Sequence, residues 1–313
     1  MKKYILTFIL FLSSAVFVYG QQTPQYSNYL TNYFAMNPAL AGSNDCLNVK
    51  LGYRNQWVGF TGAPKTTFAT FSTEIKHKKI KTIRTKHGIG ALIENDEIGP
   101  FSRSTIYLGY AYHFPVGRAV TASIGVFGGL TQMGVDATQI NIVDIDDPLI
   151  NGTARIVLVP DISPGLFLNH DDWFLGYSIR QIMLNKWTRL IGSNSARNRF
   201  HHYFVGGKRF KTESFNLVPS TLVKFVGFSK PSIDLNLMAE LSKKFEIGVS
   251  WRNTDAIIAM LNLKFLKFFS LGYAFDMTTS KVNIASSNTH EFILGLSACP
   301  FNEKSTYVCP LFQ

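Results

Sequence analysis

The sequence predicts an all-β protein, a transmembrane antiparallel β-barrel of about 14 strands with an N-terminal periplasmic or plug segment. Three observations predict it: alternation of apolar and polar residues over most of the chain, a short N-terminal apolar run, and strands of roughly nine to twelve residues. A tilted strand needs about 9–11 residues to cross a bilayer, whereas soluble strands typically have about five or six.

The N-terminal apolar run has the features of a secretory signal peptide, which we assign to residues 1–20. Lys2 and Lys3 form a basic start, an apolar stretch follows, and cleavage is expected before Gln21. The stretch is too short to remain as a membrane-spanning helix, which needs about 20 residues. A mature chain that enters a membrane must therefore do so as a closed barrel, and we expect it in the outer membrane.

Alternation is clear in residues 244–252. Phe245, Ile247, Val249 and Trp251 alternate there with polar or small residues. Successive side chains of a strand point to opposite faces, so such a segment has one apolar face and one polar face. The high aromatic content, 14%, suits the aromatic girdles of membrane barrels.

The predicted organisation has three parts: the signal peptide, an N-terminal periplasmic or plug segment at residues 21–45, and the barrel with a short C-terminal tail at residues 46–313. The first predicted strand covers residues 49–57. Residues 132–159 and 181–200 are predicted as long loops, and residues 94–97 as a charged turn. Tight turns elsewhere, such as residues 170–172, predict short turns at one rim and long loops at the other.

The net charge of +11 does not indicate nucleic-acid binding, because Lys and Arg are scattered rather than gathered in a stripe. Charged side chains cannot be left in hydrocarbon, so those within strands are expected to face the lumen. There they either neutralise one another or line a polar channel. The expected inward-facing charges are Lys50, Arg54, Asp234, Glu240, Glu246, Arg252 and Asp276.

No motif for catalysis or cofactor binding stands out, and we expect no enzyme, no cofactor and no metal site. His201 and His202 are adjacent in a strand, so they face opposite sides and cannot share a metal ion. An acidic group at residues 144–147 is interpreted as a solvated turn. Cys299 and Cys309 are close enough in sequence to form a bridge, with buried thiols as the alternative.

The residues that follow the expected cleavage site form a specific series. It comprises Gln22-Thr23-Pro24-Gln25-Tyr26-Ser27, Asn37-Pro38-Ala39-Leu40-Ala41-Gly42, Tyr53-Arg54-Asn55-Gln56-Trp57 and Gly62-Ala63-Pro64-Lys65-Thr66. The series resembles the PorP/SprF family of type IX secretion proteins. The likeness extends through Leu271-Gly272-Tyr273-Ala274-Phe275-Asp276 to His290-Glu291, and so spans nearly the whole mature chain.

The resemblance implies an outer-membrane barrel of Bacteroidota that works with the type IX secretion machinery. Some family members help to export one large adhesin with a C-terminal sorting domain and hold it at the surface, as in gliding motility. Others link the translocon to periplasmic machinery. The expected partners are therefore that machinery, the adhesin and membrane lipid. The alternative is a diffusion porin or channel for small solutes.

The motif residues also have a physical interpretation as a partner-binding or structural motif. Proline after asparagine starts a turn, and glycine permits a positive φ. Within the first predicted strand the two aromatic residues face lipid, while arginine and glutamine face the lumen and could hold the N-terminal segment. The residues concerned are Gln25, Tyr26, Asn37, Pro38, Gly42, Tyr53, Arg54, Gln56 and Trp57.

Overall fold

A computed structural model describes residues 23–44, 46–75, 85–117, 119–136, 155–186, 197–227, 229–242, 244–266, 268–284 and 286–298. Antiparallel strands make up most of this part of the chain. The strands are β1 (Asn48–Asn55), β2 (Lys65–Ile75), β3 (Lys86–Ile98), β4 (Phe101–Val116), β5 (Val120–Val135), β6 (Arg155–Asn169), β7 (Trp173–Arg180), β8 (His201–Lys208), β9 (Phe210–Lys211), β10 (Asn216–Val226), β11 (Ser232–Ser242), β12 (Phe245–Arg252), β13 (Ala256–Phe265), β14 (Phe269–Thr278) and β15 (Thr289–Ser297).

The strands close into a barrel. Each pairs with its neighbours in the chain, and β1 also pairs with β15, with Asn48 opposite Ser297. The short β9 continues β8 after an interruption at Arg209, and both pair with β10. They form one wall strand, so the barrel has 14 strands and the predicted fold class is confirmed. Closure joins the first strand to the last, so neither of these two strands is left as a sheet edge.

Alternation separates an apolar outer surface from a filled lumen. On β4, Ile106 and Leu108 are 56% and 70% exposed, whereas Tyr107 between them is 1% exposed. The outer face also carries stacked aromatic pairs, such as Tyr177 and Phe204 with ring centroids 4.3 Å apart. This pattern matches a lipid-facing surface in which large apolar residues are exposed because lipid, not protein, covers them.

The two rims of the barrel differ. The short-turn rim has tight connections at residues 117–119, 170–172, 212–215, 243–244 and 266–268, together with the longer connection at residues 76–85. The long-loop rim carries residues 56–64, 136–154, 181–200 and 279–288, along with tighter connections. The chain enters β1 and leaves β15 at the short-turn rim.

Four predicted strand boundaries are wrong. β1 ends at Asn55 rather than at residue 57, and β5 and β6 extend into the predicted loop at residues 132–159. β3 runs to Ile98, so the predicted charged turn at residues 94–97 is strand. In β3, β5 and β6, backbone pairing continues past the point where apolar alternation fades, as in Gly134 opposite Ile156.

Several predictions fall on parts of the chain outside the described residues: the signal peptide, the acidic group at residues 144–147, and both Cys299 and Cys309. Cys46, which is described, is disulfide-bonded. Within the described ranges, no helix is long and apolar enough to cross a membrane.

The assignment of the outer face of β4 to lipid can be tested by substitution. Leu108→Lys places a charge on the exposed outer face of β4 and should weaken folding in lipid by about 2–4 kcal/mol near the bilayer midplane. The matched control is Leu266→Lys, because Leu266 is equally exposed, at 74%, but lies in a turn of the short-turn rim. Denaturant unfolding in liposomes measures both. Equal effects at the two positions would contradict a lipid-facing β4.

Candidate functional site

The lumen is occupied by residues 23–44, which we call the plug segment. Two short 3-10 helices, Tyr33–Ala35 and Pro38–Leu40, lie within it, and nearly all of its residues are buried. Its aromatic side chains pack against rings of the wall: Tyr33 lies 6.1 Å from Phe167 and Phe34 lies 5.1 Å from Phe127, centroid to centroid. The protein core is thus a contact between this segment and the inner face of the barrel.

Glycines on the inner wall give the plug segment its space. A Cβ at Gly88 would lie 1.8 Å from the carbonyl oxygen of Ala41, and one at Gly125 would lie 2.4 Å from the backbone nitrogen of Ala39. No real side chain tolerates such distances. These positions therefore require glycine because another backbone passes against the strand.

A buried ionic cluster lies on the wall near the long-loop rim. Each of its members is at most 1% exposed. Arg54 contacts Asp276 at 2.9 Å and Glu291 at 3.1 Å, and Arg252 contacts Asp234 at 2.9 Å. We call Arg54, Asp234, Arg252, Asp276 and Glu291 the arginine cluster. Its two arginines face three carboxylates, and the ammonium group of Lys224, 3.0 Å from Asp234, supplies the third positive charge that such deep burial requires.

The arginine cluster also binds the main chain of the plug segment. The carboxylate of Glu291 accepts the backbone N–H groups of Ser27 and Asn28 at 2.8 and 2.9 Å. Arg252 donates to the carbonyl oxygen of Tyr26 at 3.2 Å. Arg54 donates to the Ser27 hydroxyl oxygen at 2.7 Å. Three consecutive residues of the segment are therefore fixed by charged partners, which form the stronger class of hydrogen bond.

A second set of contacts holds the segment on the opposite side of the lumen. The Tyr26 hydroxyl donates to the carboxylate of Glu94, which also accepts from Arg180 at 3.4 Å. Arg180 donates in addition to the carbonyl oxygen of Ala35. Tyr26 therefore connects the arginine cluster to a separate ion pair across the barrel.

The N-terminal end of the plug segment lies towards the long-loop rim. The hydroxyl of Thr23 is 3.0 Å from Nδ1 of His201 and 2.8 Å from the hydroxyl of Tyr203. His201 is the first residue of β8 at that rim. The other end of the segment leads to β1 at the short-turn rim, so the segment extends through the lumen from one rim towards the other.

Five of the residues singled out by sequence lie on the plug segment. Asn37 accepts from the N–H of Ala39 at the start of the second 3-10 helix and donates to the Leu166 carbonyl oxygen at 3.0 Å. Pro38 is the first residue of that helix. Gly42 has a φ of +62°. Tyr26 is buried, and Gln25 is half-buried with an amide oxygen that has no hydrogen-bond partner among the described residues.

The remaining four lie at the end of β1. Tyr53 is on the outer face and 42% exposed, and Arg54 is in the lumen. Gln56 is buried, and its N–H bonds to the Pro64 carbonyl oxygen at 2.9 Å. Trp57 has left the strand with a φ of +51°, so the expectation that it shares an outer face with Tyr53 is wrong.

Sequence reasoning missed Glu94 and Arg180 as lumen contacts. Glu94 was placed in a turn, although it continues the inner-facing spacing of Gly88, Gly90 and Leu92, and this spacing could have identified it. His201 and His202 do face opposite sides, since His201 is buried and His202 is partly exposed. Among the described residues no group of three or more His, Cys, Asp or Glu could hold a metal ion.

Comparison with known proteins identifies the family. The family model described as type IX secretion system membrane protein PorP/SprF matches residues 18–296, most of the chain. This chain belongs to the PorP/SprF family. The resemblance recognised in the sequence is therefore confirmed, and the chain is a membrane protein of the type IX secretion system. No curated protein matches it in sequence.

Solved structures similar to this PorP/SprF protein include two toluene transporters. The toluene transporter TbuX of Ralstonia pickettii has a TM-score of 0.53 at 10% identity, with coverage of 86% of this chain and 93% of TbuX. The toluene transporter TodX of Pseudomonas putida has a TM-score of 0.49 at 9% identity, with coverage of 89% and 95%. At such identities the likeness to TbuX shows a shared barrel fold and nothing about the ligand.

The arginine cluster predicts a large effect of one substitution. Arg54→Ala leaves Asp276 and Glu291 with reduced compensation and should cost about 3–5 kcal/mol of stability. The control is Lys211→Ala, because Lys211 pairs with Asp172 at 2.8 Å while both are about half exposed, and such pairs contribute about 1 kcal/mol at most. Denaturant unfolding in detergent measures the difference. Similar losses would show that the cluster does not hold the structure.

The close contacts at the inner-wall glycines predict that an added side chain there would push the plug segment away from the wall. Gly88→Ala should displace Ala41 and expose the segment to added protease. Gly128→Ala is the control, since nothing lies within 4 Å of a Cβ at Gly128. Limited proteolysis with mass-spectrometric mapping should show cleavage within residues 23–44 of the first variant alone. Full protection of both would contradict the described packing.

Proposed function

We propose that this protein is a plugged outer-membrane barrel that serves type IX secretion through protein contacts at its rims. It assists the export and surface anchoring of a partner adhesin, or links the translocon to periplasmic machinery. The observation that supports this proposal is the plug segment, which fills the lumen and is bound on opposite sides by buried ions. Because the lumen is filled, the rims are the surfaces available to partners.

The orientation follows from the rims. Outer-membrane barrels have short periplasmic turns and longer extracellular loops. The long-loop rim would then face the cell exterior, where an exported adhesin is held, and the short-turn rim would face the periplasm. The proposed division is a cleaved signal peptide at residues 1–20, the periplasmic or plug segment at residues 21–45, and the barrel with its tail at residues 46–313.

Exposed aromatic residues mark the long-loop rim. Phe60 and Phe101 are 47% and 44% exposed. Their segments touch, because the N–H of Gly99 donates to the carbonyl oxygen of Gly62 at 2.9 Å. Aromatic side chains, including phenylalanine, are enriched at the cores of protein–protein interfaces. They make this rim the preferred site for the adhesin.

The alternative function, a diffusion channel, is tested by conductance. Purified protein in planar bilayers should give almost no steady current, because the plug segment and the arginine cluster fill the lumen. A porin of known conductance, reconstituted in the same bilayers, shows that the recording detects open barrels. A stable, ohmic open state of the native protein would support the channel and contradict the plugged barrel.

The proposed partner contact is tested by affinity purification from outer membranes. Tagged native protein should recover an adhesin with a C-terminal sorting domain or other type IX components. Phe60→Ala with Phe101→Ala should reduce adhesin recovery several-fold. The matched control is Phe210→Ala with Phe215→Ala, two similarly exposed aromatic residues at the short-turn rim. Equal recovery from both variants would contradict a contact at the long-loop rim.

A further inference from the structure

The N-terminal part of β6 has a neighbouring strand on one side only. β6 pairs with β5 from Arg155 to Asn169, but it pairs with β7 only from Gly165 to Asn169. Among the described residues, no strand pairs with residues 155–164 on the β7 side. We call this stretch the β6 edge. It lies at the long-loop rim, where β6 begins, and a sheet edge of this kind offers backbone groups to a further strand.

Two prolines indicate which backbone groups of the β6 edge point away from β5. Proline has no N–H, so a strand accommodates it where that position faces away from the neighbouring strand. Pro160 and Pro164 both pair with β5 without a shift of register, and the carbonyl oxygen of Pro160 accepts from the side chain of Asn185, which follows β7. Backbone groups alternate between the two sides of a strand, so Ile156 and Leu158 also direct their N–H and C=O groups away from β5.

The β6 edge has apolar side chains at a level where the neighbouring strands are polar. Ile156 and Leu158 are 63% and 60% exposed. On the outer face Leu158 lies opposite Gln132 of β5, and Gln132 lies opposite Ser104 of β4. Ser104 in turn donates to the side chain of Asn95 on β3 at 2.7 Å. This polar band marks the end of the lipid-facing surface towards the long-loop rim, so the two exposed apolar residues indicate a protein contact rather than a lipid contact.

Two basic residues lie beside the β6 edge. The side chain of Asn185 donates to the carbonyl oxygen of Pro160 at 2.7 Å, which brings the adjacent Lys186 next to the edge. Lys186 forms an antiparallel bridge with Arg197, and both side chains are exposed. Their charges attract an acidic partner, whereas a second copy of this chain would bring the same two positive charges and be repelled.

We propose that the β6 edge binds an extended, acidic segment of another protein, which adds to the barrel wall as a further strand. Backbone hydrogen bonds to Ile156 and Leu158 hold the segment in register. Its apolar side chains pack on those of the same two residues, and its acidic side chains face Lys186 and Arg197. This contact is additional to the one assigned above to Phe60 and Phe101, and it specifies the conformation and charge of the bound segment.

Binding of defined peptides to the full-length protein in detergent tests the proposal. The probe is a short fluorescent peptide that alternates valine and glutamate, and fluorescence anisotropy measures its binding. It should bind several-fold more tightly than a valine–lysine peptide of the same length. The valine–glutamate peptide with every backbone amide N-methylated keeps its side chains but cannot donate, so it should not bind. Failure of the probe to bind, or equal binding of the N-methylated peptide, would overturn the proposal.

Substitutions in the protein separate the backbone contact from the charge. Leu158→Pro removes one N–H at the spacing already occupied by Pro160, so the barrel should fold and bind the probe several-fold more weakly. Leu158→Ala, which keeps the N–H, is the matched control and should lose less. Lys186→Glu with Arg197→Glu should reverse the preference towards the valine–lysine peptide. Native-like binding by a folded Leu158→Pro protein, or an unchanged charge preference, would contradict strand addition at this edge.

Hydrogen exchange shows whether the β6 edge is open before the peptide binds. The amides of Ile156 and Leu158 should exchange quickly in the protein alone and slowly with the probe, whereas those of Val157 and Val159, which face β5, should be slow throughout. Slow exchange of all four without the probe would overturn the proposal, because residues 137–154, residues 187–196 or a second copy would then cover the edge. A photoreactive residue at position 158 would identify which. None of these measurements involves secretion, so their outcome does not depend on the proposed function.

Discussion

Charged side chains inside a membrane barrel need oppositely charged or hydrogen-bonding partners. The rest of this structure depends on how the buried charges are paired. Charges on the strands cannot face hydrocarbon, so they turn inward, and a lumen that excludes water would leave them uncompensated. Arg54 and Arg252 are fully buried but lie against Asp234, Asp276 and Glu291. The plug segment adds hydrogen bonds to the same charges: Glu291 accepts the backbone N–H of Ser27, and Arg252 donates to the carbonyl oxygen of Tyr26.

Wall and plug segment are complementary in shape as well as in charge. Gly88 and Gly125 allow the backbone of the wall strands to contact the backbone of the plug segment. The rings of Tyr33 and Phe34 fill the remaining space between the plug segment and the wall. The consequence for function is a barrel that presents two different rims and no open pore through the described lumen. This arrangement suits a component that binds other proteins better than one that passes solutes.

The fold was predictable because alternation is a local property of the sequence. Spacing alone placed Tyr53 outward and Arg54 inward, and the family resemblance pointed to the N-terminal motif. The partners of Arg54 were not predictable, because Asp276 and Glu291 are more than 200 residues away and meet it only when β1 closes against β15. Glu94 was misplaced because a run of acidic residues near Gly99 has the composition of a turn.

Hydrogen exchange at Ser27 and Asn28 tests the central claim most directly. In detergent-solubilised native protein, peptides covering residues 23–44 should exchange as slowly as those of β4 and β5, since the amide groups of Ser27 and Asn28 are bound by a buried carboxylate. Residues 213–214, in an exposed turn at the short-turn rim, serve as the fast-exchanging reference. Exchange of the plug segment at the rate of that turn would contradict a lumen filled and held by its ionic groups.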